Sequence, residues 1–182
     1  MTTVSDNPGF QIRQAAPGET GVVSGILQEA ARWLVESGTP MWKDGELAPD
    51  RIAADVEAGL FYLAWAGSKA AGVFKMQPED PLFWPDLPEG EALYLHRIAV
   101  RREFAGQGVM SSMIAFSRDA TRQAGRRYLR LDCEAARPRL RAAYERLGFQ
   151  THSERQVGPY FVARYQQAIG PANPVGIGTE AG

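Results

Sequence analysis

The sequence predicts an α/β protein: one mixed sheet of six to seven strands, flanked by about four helices. Three observations predict it. Several short runs alternate apolar and polar residues, as half-buried strands do. Between them, apolar residues recur at helical spacing in four stretches. Glycine and proline clusters separate the two kinds of segment.

Phe10 to Ala15 alternates and reads as a first strand, broken by Pro17-Gly18. Val22, Ile26, Leu27, Ala30 and Leu34 mark a first helix to about Glu36, stopped by Ser37-Gly38-Thr39-Pro40. Met41 and Trp42 fall in a loop, where they read as a plug on the core rather than a lid. A second helix runs from about Asp50 to Ala58, closed by Gly59. Leu60–Ala66 and Ala70–Met76 form a hairpin about Gly67-Ser68. Pro78 to Gly90 is long for a hairpin connection, and its apolar centre, Leu82-Phe83-Trp84, suits either a substrate mouth or a packed surface loop. Leu93–Val100 is the central strand, and a helix follows from Gln107 to about Gln123, ended by Gly125. Tyr128–Asp132 is another strand and Pro138–Leu147 a short helix ended by Gly148. Phe149–Ser153 and Tyr160–Tyr165 close the sheet as a strand pair.

The 182 residues suit a single domain over 10–169, with a disordered lead at 1–9 and an aperiodic tail at 170–182 rich in Gly, Pro, Ala and Thr. The one cysteine, Cys133, forbids an internal disulfide and fits a reducing compartment. No signal-peptide pattern and no apolar run of about 20 residues occur, so the expectation is a cytoplasmic protein without membrane attachment. The net charge of −1 hides an asymmetry. From Glu36 to Glu91 there are eleven acids against four bases; from Ala92 to Leu147 there are twelve bases against five acids. An acidic half beside a basic half suits a protein holding a polyanion on one side and a cation on the other, or two solvated surfaces without ligand meaning.

The chemistry concentrates between Leu93 and Gly108. There a β-branched run ends at Val100, a charged turn follows, and two glycines bracket Gln107 before a helix starts. Such a strand–loop–helix junction aims unpaired backbone N–H groups and the positive end of a helix dipole at one point, which suits a phosphate. A dinucleotide fingerprint would need a third glycine where Ser111 stands, and a nucleotide-hydrolase loop would need Gly-Lys-Ser/Thr, which is absent.

The run Leu-His-Arg-Ile-Ala-Val-Arg-Arg-Glu-Phe-Ala-Gly-Gln-Gly-Val-Met resembles motif A of the GNAT N-acetyltransferase family. Pro-Arg-Leu-Arg-Ala-Ala-Tyr-Glu-Arg-Leu-Gly-Phe, after Leu-Arg-Leu-Asp-Cys, resembles its motif B, so the resemblance covers about Leu93 to Phe149. It implies the GNAT fold and an enzyme transferring an acetyl group from acetyl-CoA, as co-substrate, to a primary amine. The acceptor would be a small cationic amine or a peptide N-terminus. By the same resemblance, the backbone of Ile98, Ala99 and Val100 would pair with the pantetheine arm, and the loop Ala105, Gly106, Gln107, Gly108, Val109 and Met110 would hold the pyrophosphate. Three positions depart from the family pattern: Ala105 stands for Arg or Gln, Met110 for a small residue, and Arg137 for an Asn that contacts pantetheine. Arg101, Arg102 or Arg139 would meet further phosphates or remain solvated.

Tyr144 occupies the family's tyrosine position and would act as the acid for the leaving thiolate. His96, on the central strand, is the base candidate because imidazole transfers protons near neutral pH; aralkylamine acetyltransferases carry a histidine at the matching position. Glu91 acting through water is the weaker alternative, His152 reads as surface, and Cys133 as a small buried hydrophobe. No metal-ligand cluster is read from the sequence. Two further readings stay open: an acyl-CoA sensor of the same fold without chemistry, and a toxin-type acetyltransferase acting on aminoacyl-tRNA. The second ranks low because the cofactor already claims the arginines, so nucleic acid is not an expected partner. Oligomeric state is open, a homodimer included.

Overall fold

The computed structural model describes residues 9–43 and 45–170. Its elements, in chain order, are β1 (Gln11–Gln14), α1 (Thr20–Glu36), α2 (Pro49–Glu57), β2 (Phe61–Ala66), β3 (Lys69–Gln77), β4 (Ala92–Val100), α3 (Val109–Gln123), β5 (Tyr128–Glu134), α4 (Pro138–Arg146), β6 (Gln150–Val157) and β7 (Tyr160–Ala168). Seven strands form one sheet in the order β1-β2-β3-β4-β5-β7-β6. Every neighbouring pair is antiparallel except β4 with β5. That parallel pair is the crossover whose connection is α3, since parallel neighbours need a long connection. The architecture is the mixed sheet with four α-helices expected from the alternating pattern. Of the expected disordered lead and tail, only Gly9 and Gly170 are among the described residues.

Both faces of the sheet are covered. On one, Val23, Ile26 and Leu27 of α1 and Ile52 and Val56 of α2 pack on Phe61, Leu63, Val73 and Ala99. On the other, Val109, Met113, Ile114 and Phe116 of α3 pack with Leu95, Leu129, Leu131 and Tyr165. Strands covered twice need apolar residues on both sides, which is why β3 reads as a near-continuous buried run. Gly72, in that run, sets how closely α3 can approach. A Cβ there would lie 2.9 Å from Cγ1 of Val109, 3.1 Å from the Ala99 carbonyl oxygen and 3.2 Å from Sδ of Met113.

Two boundaries differ from the sequence expectation. The helix expected from Gln107 starts at Val109, because Gly106 (φ 75°) and Gly108 (φ 85°) are left-handed and hold the chain in a turn. The closing strands extend to Val157 and Ala168 rather than stopping at Ser153 and Tyr165. β6 is the sheet edge, where pairing with β7 sustains a largely polar strand that shows no hydrophobic alternation.

The opposed charges of the two sequence halves meet one another in the fold. Glu46 pairs with Arg97, Glu79 with Arg126 and Glu91 with Arg130, at 2.8–3.4 Å. Much of the asymmetry is therefore internal neutralisation, a third outcome beside the polyanion-and-cation and solvated-surface readings.

Candidate functional site

The site begins with a defect in β4. Arg97 takes φ 51°, in a strand where only glycine is at ease with a positive φ. The register against β3 slips at the same place: Lys75 faces His96 and Val73 faces Ala99, so β4 carries one residue more than β3 across the step. A bulge of this kind bends and twists its strand. Its effect is visible on the other edge of β4. Pairing with β5 covers only Ala92–Leu95 against Tyr128–Leu131, and past that point the two strands part. Ala99 and Val100 keep their places beside β3, Ile98 lies in the bulge, and all three lie outside the β5 ladder, leaving main-chain groups at the mouth of a split.

That split widens into a cavity of about 1280 Å³. Along one end run Val100, Gly106, Gly108, Val109, Met110 and Ser111. The turn is ordered by its own hydrogen bonds: the Ala105 amide donates to the Arg102 carbonyl at 3.1 Å and the Gln107 amide to the Phe104 carbonyl at 3.2 Å. Those two amides are thus occupied, whereas the first-turn N–H groups of α3 have no helical acceptor, a setting that suits an anion. The first helical bond is the one from the Ser112 amide to the Gly108 carbonyl, at 3.0 Å, and no side chain caps the helix. Open space lies where a Cβ of Gly106 or Gly108 would point. Met110, the bulky departure in this loop, is half-buried and packs against the core beneath α3 while still lining the cavity.

The arginines divide. Arg101 is held by Glu29 and by the Ala70 carbonyl, and Arg102 lies over the Trp33 ring at 4.2 Å. Arg137 binds Glu134 and the carbonyls of Thr39 and Pro40, tying the loop after α1 to the start of α4. Neither Arg137 nor Gln107, whose side chain donates to the Glu103 carbonyl, lines the cavity. Arg139 is exposed.

Tyr144 of α4 reaches the cavity from the opposite wall. It is buried among Phe149 and Tyr165, whose ring centres lie 6.1 and 6.2 Å away, and burial holds its phenol protonated well above the ordinary range. Cys133 is buried beside it, with burial pushing its thiol up to about 11, the behaviour of a small hydrophobe.

His96 also lines the cavity, and the structure gives it neighbours that sequence reasoning missed. Its Nε2 lies 3.0 Å from Oδ2 of Asp80, which comes from the 78–91 loop. Asp132 of β5 completes the group: one ligand-type atom from each of Asp80, His96 and Asp132 lies within 4.8 Å of the others. Asp80 Oδ2, His96 Nε2 and Asp132 Oδ1 are all buried without an aligned hydrogen bond. Burial drives the Asp132 carboxyl up to about 6; the nearby Asp80 charge adds to this, while His96, the Trp84 indole N–H and the Arg164 charge oppose it. The signal in the sequence was weak: an aspartate at the end of an apolar strand, and another beside a proline in a long loop.

That loop is firmly seated. Trp84, 2% exposed, lies between the guanidinium groups of Arg130 (5.3 Å) and Arg164 (4.8 Å). Arg164 makes a two-pronged bond to Asp86 and holds that carboxyl down at about 2. Pro81, Leu82 and Phe83 face the cavity, so the segment is both packed surface and substrate-side wall. Met41 and Trp42 likewise line it, while Trp42 also packs on the α1–α2 core, uniting the plug and the wall. Glu91 lies outside the lining and is occupied by Arg130 and Arg127. His152 is exposed against Trp84.

Known proteins share this fold. The sequence model of the Acetyltransferase (GNAT) family matches residues 27–149. An uncharacterized N-acetyltransferase of Bacillus subtilis (strain 168), YesJ, is 29% identical over 155 residues, covering 81% of this chain and 84% of its own. A GNAT-family acetyltransferase structure from Listeria monocytogenes 4b F2365 superposes with a TM-score of 0.76 at 28% identity, over 92% of this chain and 99% of that one. The Salmonella typhimurium putative acetyltransferase yncA, solved with acetyl-CoA, shares the fold at a TM-score of 0.67 and 15% identity, covering 90% and 96%. With its matched span running from α1 through the split strands to α4, this chain belongs to the acetyltransferase (GNAT) family.

Proposed function

We propose that the protein transfers an acetyl group from acetyl-CoA to a primary amine by direct attack. The observation that supports this most is the parting of β4 from β5 at Leu95, which leaves Ile98–Val100 beside the glycine turn and the first turn of α3. A pantetheine arm would lie along that strand edge as a surrogate neighbour, with its pyrophosphate at the N–H groups of Val109, Met110 and Ser111. The thioester would then sit between His96 and Tyr144, which face one cavity. Further support comes from proteins of the same fold, which include ones solved with coenzyme A and with acetyl-CoA.

His96 takes a proton from the ammonium, giving a neutral amine whose nitrogen attacks the carbonyl carbon. The N–C bond forms and the C–S bond breaks. Tyr144 donates its proton to the departing thiolate and regains one from the amine nitrogen, so that of the two protons the nitrogen loses, one leaves through His96 and one ends on the thiol. A phenol kept protonated by burial suits this donor role. Release of free thiol from acetyl-CoA across a panel of primary amines tests the reading. The expected result is turnover that Tyr144→Phe lowers by about 10²-fold or more, with acetyl-CoA affinity retained. Tight acetyl-CoA binding without thiol release for any amine would make the chain a sensor instead.

A further inference from the structure

The unassigned feature of the cavity is the meeting of Asp80, His96 and Asp132. Two carboxyls from different elements and an imidazole from β4 converge at the acceptor end, and the atom each aims inward has no aligned hydrogen bond. Asp80 is the decisive member. Its side chain is 3% exposed, and its Oδ1 is satisfied by the Phe83 amide at 3.1 Å, while Oδ2 has only the off-line approach of His96. A buried carboxylate oxygen left in this state is costly unless a donor arrives.

We infer that these three side chains seat the primary ammonium of the acceptor, each taking one of its three N–H bonds. The inference rests on the acetyl-transfer reading and adds the acceptor's class: an alkylamine that enters as a cation. Ammonium and a metal ion ask for different spacings. Acceptors of three N–H bonds of about 2.8 Å on a tetrahedral nitrogen stand about 4.6 Å apart. Ligands of a zinc ion at about 2.0–2.1 Å stand only about 3.4 Å apart. The three atoms lie within 4.8 Å of one another, His96 and Asp80 being 3.0 Å apart, so the seat must widen between those two to take an ammonium, and the zinc arm of the test below separates the two occupants. Charge agrees: the Asp80 charge raises the cost of ionising Asp132, and a cation between the two lowers it. The cavity lining includes the apolar Met41, Trp42, Leu82 and Phe83 beside the charged Glu46, Lys75 and Arg97, so a hydrocarbon body behind the ammonium has apolar surface to lie on. The third bond places the amine proton directly on the His96 Nε2 lone pair, so binding and the first proton transfer use one contact.

Calorimetry on the coenzyme A-loaded protein, with n-butylamine as probe and 1-butanol as its neutral twin, tests the seat without requiring turnover. The expected result is binding of butylamine, at least tenfold weaker binding of butanol, and at least a tenfold rise in the butylamine dissociation constant in both Asp80→Asn and Asp132→Asn. Coenzyme A affinity should stay at the wild-type value in both variants. Equal binding of amine and alcohol, no binding of either, or variants that bind butylamine like the wild type would each overturn the seat. So would stoichiometric uptake of zinc from zinc chloride that excludes butylamine. The amine–alcohol comparison needs only the wild-type protein, so it decides even where a variant folds poorly. Failure of acetyl transfer shows instead as absent thiol release, a separate reading.

Discussion

Asp132 links the site to stability, and Asp132→Asn reads that link out. Burial holds the Asp132 carboxyl at about 6 against an ordinary 3.8, so the folded chain binds this proton more tightly than the unfolded chain does. Stability from this residue is therefore fully present below about pH 3.8 and is lost as pH rises towards and through 6. At about 1.36 kcal/mol per tenfold change in the protonation equilibrium, ionising Asp132 costs the fold up to about 3 kcal/mol at neutral pH. Asparagine keeps the shape and carries no charge to bury. The stability of Asp132→Asn minus that of wild type should thus climb by up to about 3 kcal/mol between pH 4 and pH 7. Carboxyls away from this cluster titrate alike in both proteins and cancel. Urea unfolding at steps of half a pH unit, followed by circular dichroism, measures the difference. A difference constant over that range, or one that falls, would refute the claim that burial strains this carboxyl. A variant more stable at neutral pH and yet weaker for amines would show a residue kept at the expense of the fold.

Gly72→Ala should lower stability by about 1–3 kcal/mol in urea melts, because the new methyl meets Val109, Met113 and the Ala99 carbonyl with little room to yield. The same push moves the start of α3, so coenzyme A affinity by calorimetry should fall as well; unchanged affinity would separate the helix position from the donor site. Trp84→Ala should cost about 3–5 kcal/mol as a large buried ring is lost. It should also speed amide hydrogen exchange across residues 78–91, whose seat between Arg130 and Arg164 it removes. Exchange there as slow as in wild type would show that Asp86 and Glu79 hold the loop unaided.

How much of this was legible in the sequence depended on the range of the interactions. The glycine turn and the helix after it are local: Gly106 and Gly108 have their own backbone requirements, and those can be read one residue at a time. Tyr144 was legible because helical spacing puts it on the same face as Leu140 and Leu147. The bulge at Arg97 was not, because arginine carries no preference for a left-handed backbone; the conformation is imposed by β3 slipping one residue against β4. Asp80 and Asp132 were missed for the same reason. They lie 52 positions apart and become neighbours only when the Trp84 anchor folds the 78–91 loop over β5. Arg137 shows a different limit of local reading. Its position in the motif suggested contact with the donor, but a guanidinium reaches further than an amide side chain and finds the carbonyls of Thr39 and Pro40 instead.

The kink at Arg97 has a consequence for how such a protein can diversify. Because the fissure that would admit the donor is made by strand backbone, it belongs to the sheet and does not depend on which residues decorate its far rim. The rim is supplied by two excursions, around 39–48 and 78–91, each pinned by its own arginine contacts, Arg97 and Arg137 for the first and Arg126 and Arg164 for the second. Either excursion can change in sequence while its pins remain, reshaping the rim with the strand fissure untouched.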